Sequence, residues 1–188
     1  MTQLVFCLEE PSAREMLKGL LPKLLPEGFE VLYLVFEGKR DLERRLPRRL
    51  RAWQRPDARF IVLLDKDSAD CVAVKQRLAQ LCKSAGRGDT LVRIACHELE
   101  SWYLGDLAAV ARAIGPAWIA RQQGRRKFRD PDNLANPYQE LKRLAHEYQK
   151  VSGSRAIGPH LSIENNRSTS FNVFISGILR LIADGAII

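Results

Sequence analysis

The sequence has few cysteines, no nucleotide-binding glycine pattern and no long apolar run. No Cys-x-x-Cys pair is present, so neither a zinc knuckle nor a thioredoxin-type dithiol is predicted. We expect the four cysteines to be separate, reduced and buried: Cys7, Cys71, Cys82 and Cys96. Gly-x-Gly-x-x-Gly and Gly-x-x-x-x-Gly-Lys-Ser/Thr are both absent, which argues against dinucleotide and P-loop sites.

The apolar segments are too short for the about 20 residues that span a membrane. The first of them meets Glu9 and Glu10, where a signal peptide would continue apolar. We therefore expect a cytoplasmic protein without a membrane span.

The length of 188 residues and the 46% hydrophobic content suit one folded domain, residues 1–188. Residues 1–114 alternate strand and helix patterns four times, which predicts right-handed crossovers. We predict an α/β, Rossmann-like parallel sheet of about four strands flanked by helices. Residues 115–188 are predicted to be a mostly helical extension with basic loops, in which residues 152–160 form a loop.

Acidic residues follow an apolar run, residues 59–64, that has the pattern of a strand buried on both faces. Asp65 and Asp67 come at its end, and the carboxyl ends of parallel strands are where ligands bind. Residues two apart on an extended segment point the same way, so both carboxylates could face one cation. Hard oxygen donors suit Mg²⁺ or Mn²⁺. The alternative is that Asp67 or Ser68 caps the following helix.

Two further strand ends carry acids. Glu9 follows the first predicted strand, and Glu98 and Glu100 follow the fourth. Like charges held close together repel, and a bound divalent cation removes that cost, so the pattern predicts a metal site. If a helix begins at Glu98, only one of Glu98 and Glu100 can be a ligand.

Basic residues are concentrated in two segments of a chain whose net charge is +8. Residues 39–59 hold nine Lys or Arg against three acids, and residues 107–129 hold six against none. This distribution favours a nucleic-acid partner, although a solubilising surface is the alternative. The candidate phosphate contacts are Arg44, Arg48, Arg125, Arg126, Lys127 and Arg129.

Three motifs resemble those of the Toprim domain of topoisomerases, primases and overcoming-lysogenization-defect nucleases. Leu8-Glu9-Glu10-Pro11-Ser12 is similar to its first motif, and Asp65-Lys66-Asp67 to its second. His97-Glu98-Leu99-Glu100 resembles the further acidic motif of the nuclease branch. The chain also resembles small stand-alone Toprim-like bacterial proteins of unknown function, through Asp70-Cys71 and Ser168-Thr169-Ser170-Phe171.

The resemblance implies a Toprim-like fold in which Glu9, Asp65 and Asp67 are catalytic. It also implies an Mg²⁺ (or Mn²⁺) site, with these ligands: Glu9, Asp65, Asp67, Glu98 and Glu100. Glu10 departs from the pattern, because Toprim proteins usually have glycine at that position.

The sequence therefore predicts a divalent-metal-dependent nuclease acting on nucleic-acid phosphodiesters. The main alternative is a non-catalytic module that binds nucleic acid or a partner ATPase, since stand-alone Toprim-like proteins resemble half of a two-part system with an ATPase. A haloacid-dehalogenase-type phosphatase also uses Asp-x-Asp, but there the motif follows the first strand. Here two predicted strands precede it, and Ala69 stands where Thr or Val is expected.

Overall fold

The centre of the fold is a four-stranded, all-parallel sheet. The computed structural model of the chain describes residues 2–66 and 70–185. Within them the strands are β1 (Thr2–Leu8), β2 (Phe29–Val35), β3 (Ala58–Asp65) and β4 (Leu91–Ala95). Their order in the sheet is β2-β1-β3-β4. The predicted α/β fold with a parallel sheet flanked by helices is confirmed.

Helices connect the strands and make up most of the C-terminal part. Three lie between strands: α1 (Pro11–Leu20), α2 (Lys39–Arg51) and α3 (Cys71–Ser84). Six follow β4: α4 (Glu100–Leu104), α5 (Leu107–Ile114), α6 (Trp118–Arg121), α7 (Pro137–Leu144), α8 (Lys150–Ile157) and α9 (Thr169–Gly185). In the described part of the chain, none of these helices combines the length and apolarity needed to cross a membrane.

Each face of the sheet packs against its own hydrophobic core. Side chains alternate between the faces of a strand, so Leu4 and Phe6 of β1 enter one core and Val5 and Cys7 enter the other. The first core also contains residues of α1 and of α4 to α9. The second contains residues of α2 and α3. Burial on both faces explains why the two inner strands, β1 and β3, are almost wholly apolar.

The strand order changes direction beside β1, which pairs with β2 on one side and with β3 on the other. Leu8 at the end of β1 is in register with Leu63, two residues before the end of β3. Connections leave these two strands in opposite directions, which opens a crevice at their carboxyl ends. Glu9 and Asp65 follow or end the two strands at this crevice.

The prediction of a loop at residues 152–160 is wrong, because α8 runs through most of it. This helix and the turn after it pack closely on α1, and the backbone leaves no room for a Cβ atom at Gly19 or Gly158. Gly158 therefore allows close approach of two segments. Tertiary packing outweighs the weak helix propensity of Ser and Gly here.

Candidate functional site

Glu9 and Asp65 meet at the crevice between β1 and β3. The backbone N–H of Asp65 donates a hydrogen bond to Glu9 Oε2 at 3.1 Å. Both residues are partly buried. Asp65 alternates with Ile61 and Leu63, which face the core of α1 and α4 to α9, so its carboxylate is directed to that side. The structure thus brings together two of the residues predicted to be catalytic.

Glu100 is the first residue of α4, and it is almost completely buried, with 1% of its surface exposed. Its Oε1 accepts a hydrogen bond from the Tyr148 hydroxyl at 2.9 Å. Its Oε2 is buried and has no hydrogen-bond partner among the described residues. Buried polar atoms are normally paired, so an oxygen without a partner is a candidate ligand atom.

Glu10 follows Glu9 in the chain and contacts Lys150, the first residue of α8. Its Oε1 accepts hydrogen bonds from the Ser12 hydroxyl at 2.7 Å and from Lys150 Nζ at 3.4 Å. Lys150 also lies 5.8 Å from the centre of the Tyr138 ring. The residue that departs from the Toprim pattern therefore adds a fourth carboxylate to the site and pairs it with a lysine.

The electrostatics of the site show that these carboxylates interact. Burial, followed by the charges of Glu10, Glu100 and Glu9, raises the pKa of Asp65 well above its usual range. Burial also raises the pKa of Glu100, and Lys150 partly offsets this effect. We call Glu9, Glu10, Asp65 and Glu100 the acidic edge. Keeping these four carboxylates ionised costs free energy unless further positive charge is supplied.

Of the two remaining predicted ligands, only Glu98 is among the described residues, and it is hydrogen-bonded elsewhere. Glu98 Oε2 accepts a hydrogen bond from the backbone N–H of Tyr138 at 2.8 Å, at the start of α7. Because α4 begins at Glu100, Glu98 precedes the helix and Glu100 lies within it. Of these two glutamates, Glu100 is the one whose charge acts strongly on Asp65. Asp67 lies outside the described residues.

The acidic edge consists of oxygen donors of the kind that Mg²⁺ and Mn²⁺ prefer. Its chemistry and the unpaired Oε2 of Glu100 fit a hard divalent cation. Across residues 2–66 and 70–185, however, no group of three or more His, Cys, Asp or Glu is arranged closely enough to hold one. Metal binding therefore requires the carboxylates to move together or a ligand such as Asp67 to join them.

The two predicted basic regions lie on opposite sides of the sheet. Arg44 and Arg48 are exposed on α2, which packs against the second core, and Arg44 is paired with Asp41 at 2.8 Å. Phe128 anchors the other region in the first core. Around it, four basic residues are exposed on short 3-10 turns: Arg125, Arg126, Lys127 and Arg129. A single contact surface does not include both regions.

Sequence reasoning missed Lys150 and Tyr148 as residues of the site. Tyr148 is 1% exposed, and its ring lies 6.2 Å from that of Tyr103. Neither residue belongs to a recognisable motif, and Lys150 precedes the segment that was predicted to be a loop. Their contacts with Glu100 and Glu10 span 48 and 140 residues, so no local sequence signal indicates them.

A protein-family model described as a domain of unknown function (DUF4276) matches residues 8–179. Comparisons with curated proteins and with solved structures found no match. The matched region contains the whole acidic edge and both basic regions.

Proposed function

We propose that this chain, which belongs to the DUF4276 family, is a divalent-metal-dependent nuclease acting on nucleic-acid phosphodiesters. The observation that carries the proposal is the acidic edge, where Glu9 contacts Asp65 at the switch point of a parallel sheet and the charges of Glu10 and Glu100 act on Asp65. Such a cluster is unfavourable without a counter-charge, and a bound cation supplies one. The Toprim-like motifs around Glu9 and Asp65 support the same function.

The residues of the site have separable roles in this proposal. A divalent cation, when bound, would stabilise the negative charge that develops on a phosphodiester during cleavage. Asp65 and Glu100 would hold it, together with Asp67 and, after rearrangement, Glu98. Glu9, oriented by the N–H of Asp65, would be a further ligand or the general acid/base. Tyr148 fixes the Glu100 side chain by its hydrogen bond.

Substrate binding would rely on the exposed basic turn at residues 125–129. Its phosphate contacts would neutralise backbone charge and would make binding sensitive to salt. The turn lies on the same side of the sheet as α4, α7 and α8, which contribute to the site. Arg44 and Arg48 would contact a more distant part of a long substrate, because α2 lies on the other side.

The test is cleavage of plasmid DNA and of RNA oligonucleotides with Mg²⁺, with Mn²⁺ and with a chelator. We expect cleavage that requires the cation and is lost in Asp65→Asn. Asp57→Asn is the matched control variant, since it removes an exposed carboxylate at the amino end of β3, opposite the acidic edge, and should retain cleavage. Absence of cleavage in the parent under all metals, or equal cleavage by Asp65→Asn, would contradict the proposal.

A second candidate function is a non-catalytic module that binds nucleic acid or a partner ATPase. It is favoured by one observation, namely that the described residues hold no preformed group of three metal ligands. This module would bind nucleic acid in a salt-dependent way, without cleavage and with the same affinity in Asp65→Asn. A filter-binding titration at two salt concentrations separates it from the nuclease.

A further inference from the structure

Two of the four cysteines lie in contact, although the sequence suggested that all four are separate. The sulfur atoms of Cys71 and Cys96 are 3.7 Å apart. Cys71 is the first residue of α3, and Cys96 follows the last residue of β4. The pair is therefore created by the β3-α3-β4 crossover and has no Cys-x-x-Cys signature.

Both sulfur-bearing residues are accessible. Cys71 and Cys96 are partly exposed, and both line a cavity of about 420 Å³ between α3 and α9. The cavity wall also includes Lys66, Val72 and Ser170. The remaining two cysteines are buried, as predicted, with 0% of Cys7 and 1% of Cys82 exposed.

We propose that Cys71 and Cys96 are a dithiol modification site, which hydroperoxides oxidise to a reversible intramolecular disulfide. Closing the gap from 3.7 Å to the bonded distance of about 2.05 Å requires each sulfur to move by about 0.8 Å. Cys71 begins a helix and Cys96 lies in a bend, so neither is fixed within the middle of a regular element. The proposal does not depend on the metal site.

The reaction is a two-electron oxidation that proceeds in two displacements. One thiolate attacks an oxygen of the hydroperoxide, whose O–O bond breaks to release an alcohol, or water from hydrogen peroxide, and the attacking sulfur becomes a sulfenic acid. The second thiolate attacks that sulfur and displaces its oxygen as water. In total, two thiols and one hydroperoxide give one disulfide, one alcohol and one water.

The experiment counts reactive thiols in the native protein before and after hydrogen peroxide, using an aromatic disulfide reagent. We expect two reactive thiols before oxidation and none afterwards, with both regained on treatment with dithiothreitol. The oxidised protein should be lighter by two hydrogens. Tryptic digestion should yield residues 67–75 joined to residues 94–112.

Cys71→Ser and Cys96→Ser are the matched variants, each leaving one accessible thiol. Neither should give a joined peptide, and Cys96→Ser, which keeps Cys71 at the start of α3, should form a sulfenic acid that dimedone traps. Peptides that contain Cys7 and Cys82 serve as internal controls and should remain unmodified. The proposal is overturned if the oxidised parent contains no joined peptide, or if Cys7 and Cys82 react as fast as the other pair. This decision needs the parent alone, so it stands even if a variant folds poorly.

Discussion

Two buried glutamates in this molecule have opposite surroundings. Glu15 of α1 is 3% exposed, and Arg155 of α8 donates to its Oε2 at 2.7 Å. Arg14 and Lys18 contact its other oxygen. Glu100 of α4 is 1% exposed, but it receives one hydrogen bond from a neutral tyrosine, and its second oxygen has no partner in the described structure.

The pKa values follow these surroundings. The hydrogen bond from Arg155 lowers the pKa of Glu15 to about 2, with help from Lys18 and Arg14 that outweighs the effect of burial. Burial raises the pKa of Glu100. Glu15, which joins α1 to α8, is thus paired with three cationic side chains. The negative charge of Glu100, at the sheet edge, is only partly offset. We interpret the first as structural and the second as a site for an external cation.

The largest expected effect concerns the acidic edge. Asp65→Asn should lower metal-dependent cleavage at least about 100-fold, because it removes a carboxylate that would bind the cation. The metal-free variant should unfold at the same or a higher denaturant concentration than the parent, since it avoids burying a charge and relieves the repulsion from Glu10, Glu100 and Glu9. Activity assays test the expected loss of cleavage, and urea unfolding tests the expected stability. A variant that loses activity because it unfolds more easily would make Asp65 a structural residue.

The second effect has the opposite sign and concerns Glu15. Glu15→Gln should lower the free energy of unfolding at pH 7 by about 1 to 2 kcal/mol, a value reduced for the partial exposure of its three cationic partners. The folded pKa of about 2 lies below the unfolded value of 4.5, so this stabilisation is present above pH 4.5. It should be lost progressively as the pH falls from 4.5 towards 2. Urea unfolding of parent and variant at several pH values checks this.

A smaller effect is expected for Glu100. Glu100→Gln should raise the free energy of unfolding at pH 7 by about 1 kcal/mol, because an amide avoids the cost of a buried, undercompensated charge. The pKa of Glu100 is raised on folding, so the cost is absent below the unfolded pKa and appears as the pH rises through the folded pKa. Parent and variant should therefore be equally stable near pH 4 and differ at neutral pH. A loss of stability at pH 7 would mean that the carboxylate is already compensated.

The smallest effect is expected for an exposed ion pair. Lys127 and Glu140 contact each other, and the Lys127 side chain is 46% exposed. Lys127→Gln should change the free energy of unfolding by less than about 0.5 kcal/mol, since solvent screens such pairs. Urea unfolding at low and high salt measures it. If Lys127→Gln changed the free energy of unfolding as much as Glu15→Gln does, burial of the carboxylate would not explain the difference expected between the two ion pairs.

Much of the fold follows from local patterns in the sequence. Four apolar runs predicted parallel strands, and each forms one in the structure, although the edge strand β2 is only half-buried. The strand order was not predicted, because all four runs are similarly apolar and nothing local specifies which neighbours pair. The strand order decides which carboxylates meet, so the sequence could propose that Glu9 and Asp65 converge without establishing it.

The rest of the site depends on long-range packing. Lys150 contacts Glu10 because α8 packs on α1. The sequence of α8 is rich in Ser and Gly, which is why a loop was predicted there. Ser12 and Glu15 have the spacing of a reciprocal helix cap, yet Ser12 donates to Glu10, and Glu15 turns to Arg155, 140 residues away. Partners this distant in sequence leave no local signal.

The most direct test of the account is calorimetric titration of Mn²⁺ into the parent, Glu100→Gln and Glu15→Gln. The two variants carry the same substitution at the two buried glutamates of the comparison. We predict that the parent and Glu15→Gln bind the cation with similar affinity and that Glu100→Gln binds it at least about tenfold more weakly. No specific binding by the parent, with or without an oligonucleotide present, or equal binding by all three proteins, would contradict the claim that the acidic edge is a metal site.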